Sequence, residues 1–97
     1  MRKFIVRPAA EADIDIAYAW YERERKGLGE EFLKEVNATR QLVLEMPRGY
    51  PAVHRQTRRA LVHRFSYGLF YRIVGDTIVF VACFHTSRNP ELWKRRR

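Results

Sequence analysis

The chain has 97 residues, enough for one hydrophobic core and too few for two. Hydrophobic residues make up 46% and aromatics 13%, which excludes a disordered chain, and no apolar run approaches the roughly 18–20 residues that cross a bilayer. The formal charge is +8 and it is unevenly spread: residues 1–47 hold eight Lys/Arg against nine Asp/Glu, residues 48–97 hold eleven against two.

The opening segment, Met1 to Pro8, is charged and lacks an apolar h-region, so no secretory signal is expected. Lys3-Phe4-Ile5-Val6-Arg7 reads as a short strand halted by Pro8, which suits the first turn of a helix. Ala10, Ile14, Ala17 and Tyr21 recur at steps of four, three and four, the stripe of an amphipathic helix that ends at Gly27 or Gly29. A second helix is expected from about Glu30 to Glu45, with Phe32, Val36, Thr39, Val43 and Met46 on one side and Pro47 as its stop. The brief Gly27-Leu28-Gly29 link makes the pair an αα-hairpin.

Arg48-Gly49-Tyr50-Pro51 is loop by composition, and after it the period becomes that of strands. Three are expected, over Arg58–Phe65, Leu69–Val74 and Thr77–Phe84, joined by a tight Ser66-Tyr67-Gly68 connection and a two-residue Gly75-Asp76 turn. Asn89-Pro90 then Glu91-Leu92-Trp93 suggests a last helical turn, and residues 89–97 form a basic tail to the single domain 1–97. The order β-α-α-β-β-β predicts an α+β fold, an antiparallel sheet with the hairpin on one face.

Pairing outward from Gly75-Asp76 places Leu69, Tyr71, Ile73, Ile78, Phe80, Ala82 and Phe84 on the helix side, with Ala60 and Val62. The other side receives Phe70, Arg72, Val74, Val79, Val81 and Cys83, beside Arg59, Leu61, His63 and Phe65, with His85 if alternation continues. A bulge would change this assignment. The expected result is an open, partly apolar, cationic sheet face carrying Arg59, His63, Arg72 and His85, suited to an acidic or polyanionic partner. Leu92 and Trp93 of the tail are candidates to cover part of it. Cys83, the single cysteine, lies in an apolar run, which predicts a buried thiol in a reducing, cytoplasmic setting; one cysteine makes no internal disulfide and no zinc cluster, and no metal or cofactor is expected.

The stretch Phe65-Ser66-Tyr67-Gly68-Leu69-Phe70-Tyr71-Arg72-Ile73-Val74-Gly75-Asp76-Thr77-Ile78-Val79-Phe80-Val81, then Phe84-His85-Thr86-Ser87-Arg88-Asn89-Pro90, resembles the C-terminal half of RelE/ParE-superfamily toxins. Asp13-Ile14, Ala17 and Tyr21 are similar to that family's first helix, and Phe32, Leu44 and Pro47 to its second helix and exit. The resemblance implies the toxin of a type II toxin–antitoxin module, held inactive by an antitoxin. It is closer to the ParE-like plasmid-stabilisation branch, whose members poison DNA gyrase, than to RelE-like members, which cleave messenger RNA on the ribosome.

For RNA cleavage, His85 and His63 supply groups that exchange protons near neutral pH, and Arg59, Arg72 and Arg88 supply bidentate phosphate contacts. The same histidines serve equally to hydrogen-bond backbone, and Arg72 to spread its stem over apolar neighbours. For an antitoxin, Phe70, Val79 and Val81 offer an apolar track among the arginines to an acidic amphipathic segment. Three functions are therefore carried forward: a gyrase-directed toxin without a catalytic site, an endoribonuclease using His85, and a basic nucleic-acid-binding domain without toxicity.

Overall fold

The computed structural model describes residues 3–97. Strand β1 (Lys3–Val6) leads into helix α1 (Pro8–Glu24), with Pro8 in the first turn. Helix α2 (Leu28–Glu45) returns along α1. The Glu22 carboxylate locks the corner, accepting the N–H of Gly27 at 3.0 and 3.1 Å and that of Gly29 at 2.8 Å. These are donors left over at the start of a helix, so a carboxylate there satisfies both the hydrogen bonds and the helix dipole.

After a single 3₁₀ turn (Pro47–Gly49) come β2 (Ala52–His54), β3 (Thr57–Leu61), β4 (Tyr67–Val74) and β5 (Thr77–His85), then a one-turn helix α3 (Glu91–Lys94). The five strands lie in the order β1-β5-β4-β3-β2. β1 pairs parallel with β5, whereas the other pairs are antiparallel. The sheet is thus mixed rather than wholly antiparallel, because β1 reaches β5 through the helical hairpin and a crossover connection permits a parallel pair. The short β2, preceded by Pro51, gives no apolar run and is invisible in the sequence pattern.

The helices cover one face. Ala17, Phe32, Val36, Val43 and Leu44 pack there on Ala60, Val62, Leu69, Tyr71, Ile78 and Phe80. The Tyr71 hydroxyl donates to the Pro47 carbonyl and ties the end of α2 to the sheet. Phe65 belongs to this core as well, packed edge-on against Tyr21 and Phe32, instead of facing the other way as strand alternation implied. The cause is that β3 stops at Leu61 and residues 62–66 form a loop, with Arg64 at φ +73°.

Near the Gly75-Asp76 turn the register is as the sequence implies, with Val74 opposite Thr77 and Arg72 opposite Val79. Farther along it slips: Tyr71 pairs with Phe80 but Phe70 pairs with Ala82, so Val81 is an extra residue in β5. This bulge reverses every side chain beyond it. Cys83 turns to the helix side, and Ala82 and Phe84 join Phe70, Val79 and Val81 on the opposite side.

That opposite side is not open. The Trp93 ring of α3 stacks on Phe70 with centroids 4.3 Å apart, and Phe70, Val79, Val81, Ala82, Phe84 and Trp93 form a second buried cluster with Val53 against it. The expected apolar track over Phe70, Val79 and Val81 is therefore occupied by the chain's own C-terminal segment.

Candidate functional site

The C-terminal segment is held by a three-way junction. β1 pairs with β5 only as far as Phe80, so the edge of β5 beyond it lacks a strand partner. Asp13 on α1 fills this position by accepting the Cys83 N–H at 2.9 Å. Arg96 then closes on the same carboxylate with two nitrogens, one of them 3.2 Å from Oδ1, and its Nη1 also donates to the Val81 carbonyl at 3.2 Å. Its guanidinium lies 4.7 Å from the Phe84 ring centroid. The Asp13 side chain is only 7% exposed, so this is a near-buried bidentate ion pair linking α1, β5 and the tail. Cys83 sits beside it, and burial, reinforced by the Asp13 charge, pushes its thiol up to about 12. At neutral pH that sulfur is an inert core group.

The expected site residues divide between the two faces. Arg59 and Arg72 lie on the α3 side, half-buried. The Arg59 stem lies across Gly68, where a Cβ would come within 2.9 Å of the Arg59 Cδ, so the glycine is what lets that stem lie flat. His85 instead reaches the helix side, because of the Val81 bulge. There it meets the edge of Tyr67, ring centroids 5.3 Å apart, and lines a crevice with Ile16, Trp20, Ser87 and Arg88. Its Nδ1 accepts the Ser87 N–H at 3.1 Å and lies 2.8 Å from the Ser87 hydroxyl. Arg88 is exposed, with its guanidinium 5.1 Å from the Phe84 ring centroid. His63 is exposed in the loop after β3. The expectation that Arg59, His63, Arg72 and His85 share one sheet face is thus not met.

A family comparison resolves what this fold is. The family described as "ParE toxin of type II toxin-antitoxin system, parDE" matches residues 4–90. The chain belongs to the ParE toxin family. A solved structure described as "Chromosomal ParDE TA system from P. aeruginosa" superposes with a TM-score of 0.78, covering 88% of this chain and 96% of that one at 15% identity. At that identity the likeness establishes the ParE-like fold alone. No curated protein matches the chain. Among the described residues no helix is long and apolar enough to cross a membrane.

Within the ParE frame, two pairs of residues to which sequence reasoning gave no site role stand out. Asp13 and Arg96 are 83 positions apart, and no periodicity or motif links them; only the fold brings the carboxylate to the guanidinium. Ile16 and Trp20 project from α1 at 70% and 49% exposure, flanking the stripe that marks the helix in sequence, with the Trp20 ring edge-on to Tyr21. Their one available signal was a large apolar side chain at a position the stripe does not use.

Proposed function

We propose that this ParE-family chain arrests growth by binding and poisoning DNA gyrase, with no reaction of its own, and that an acidic antitoxin neutralises it. The observation that carries this reading is the division of the polar groups. Cleaving RNA by its own 2′-hydroxyl requires a base, an acid and cations around one phosphate. Here His85 has one ring nitrogen engaged by Ser87, and it stands on the helix side while Arg59 and Arg72 stand on the other. A binding toxin makes no such demand.

The antitoxin meets the exposed apolar residues Ile16, Trp20 and Leu92 around the His85–Arg88 crevice, since Phe70, Val79 and Val81 are already covered. An amphipathic acidic helix would set its apolar side on Trp20 and a carboxylate against Arg88. The endoribonuclease reading is favoured by one feature, that Arg88 shares the crevice with His85. Gyrase supercoiling assays and transcript mapping with wild type, His85→Ala and Arg88→Ala separate the two. Inhibited supercoiling with intact transcripts, unchanged in His85→Ala, supports gyrase poisoning. Messenger cleavage lost in His85→Ala refutes it.

A further inference from the structure

A concentration of basic side chains lies outside that crevice. A groove of about 610 Å³ runs between the β2–β3 turn, the middle of β4 and the C-terminal segment. Arg55, Arg72, Lys94, Arg95 and Arg97 line it, with Glu91 as the one acidic residue. Glu91 is spent on Lys94 at 3.4 Å, and Arg96 is spent on Asp13. Among the described residues no carboxylate pairs with Arg55, Arg72, Arg95 or Arg97. Four uncompensated guanidinium groups therefore converge on one concavity.

The character of the lining selects the ligand. None of its side chains is apolar, so the groove offers no anchor to an amphipathic acidic peptide, which needs one. Its single ring is His54, turned edge-on to buried Trp93 with centroids 6.3 Å apart, and unstacked bases find no platform there. What remains is the repeating phosphodiester, for which forked guanidinium groups are the best-matched donors. Arg55 adds a further sign: it occupies the turn at φ +53°, a backbone conformation where glycine or asparagine would be easier.

We infer that this groove binds the phosphate backbone of duplex DNA, so that the toxin grips the DNA held by its target and not the target protein alone. The choice of duplex DNA rests on the gyrase reading above. Fluorescence anisotropy of the full-length chain with a labelled duplex tests it directly, without gyrase. Four phosphate contacts predict a slope of log affinity against log salt near about −3.6, a loss of roughly 10²-fold between 50 and 200 mM salt. Arg55→Gly with Arg95→Gln should flatten that slope by about 2, since each lost phosphate contact removes about 1. Lys34→Gln, on the exposed side of α2, should leave it unchanged. Circular dichroism melts confirm that each variant is folded.

Several results would overturn the groove: a slope shallower than about −1, equal losses in Lys34→Gln and the groove variants, or tighter binding of polyglutamate than of duplex. Gyrase inhibition is scored separately on the same preparations. Groove variants that lose DNA binding yet inhibit gyrase fully remove the groove from the mechanism and leave the gyrase reading standing. DNA binding without any gyrase inhibition does the reverse.

Discussion

Replacing Arg96 by Ala should unlatch the C-terminal segment, and the cost follows from what the substitution leaves behind. Asp13, only 7% exposed in the intact chain, would keep the Cys83 N–H but lose both guanidinium contacts, and the Val81 carbonyl at the bulge would lose its donor. Breaking a fully buried ion pair by removing one partner costs about 3–5 kcal/mol. Arg96 is itself 25% exposed, so water partly compensates and the cost falls below that range, to about 2–3 kcal/mol. For a domain of this size that is a fall in melting temperature of roughly 10–20 °C. Urea titration should follow Trp93 fluorescence in a Trp20→Phe background, because Trp93 is the tail residue stacked on Phe70. A double-mutant cycle with Asp13→Asn isolates the pair from the cation–π contact to Phe84. A loss below about 0.5 kcal/mol, the range of ordinary surface changes, would show that the latch contributes nothing.

Three other outcomes are expected. Glu22→Ala removes the acceptor for the Gly27 and Gly29 N–H groups and should cost about 1–2 kcal/mol in chemical denaturation, with Glu22→Asp recovering only part. Stability should fall at alkaline pH. Burial holds the Cys83 thiol and the Tyr71 phenol near about 12 in the folded chain, so unfolded chains ionise first, from about pH 8.5 for the thiol, and shed protons the native state retains. Full stability is thus present below that pH and is lost as pH rises toward 12, and Cys83→Ala should flatten the first part of the decline in pH-resolved denaturation. Trp20→Ala should weaken antitoxin binding at least tenfold by calorimetry, whereas unchanged affinity would move the docking surface off α1.

The helical hairpin and the turn-proximal register were legible because each depends on neighbours in sequence: the Ala10-Ile14-Ala17-Tyr21 stripe, the Pro8 and Pro47 punctuation, and Gly75-Asp76 between two apolar runs. What escaped depends on distant partners. Val81 carries no mark that distinguishes a bulged valine from a paired one, yet its insertion decides the side on which Cys83, Phe84 and His85 stand. Phe65 reads as a strand residue and is drawn into the core by a loop that Arg64 turns through a left-handed conformation. The three residues of β2 hold no alternation long enough to register. Trp93 was visible as a possible cover, but its stacking on Phe70 and the Arg96 closure on Asp13 are tertiary facts.

The parallel seam between β1 and β5 also sets an order on biosynthesis. Lys3 meets Thr77, and Asp13 waits for both Cys83 and Arg96, 70 and 83 positions further on, so β1 and α1 are satisfied only by residues synthesised well after them. At about 5–20 residues per second the hairpin is present for seconds before its sheet exists. Throughout that interval the nascent chain exposes the greasy side of its helices, and a partner already at hand would find it before the mature fold does.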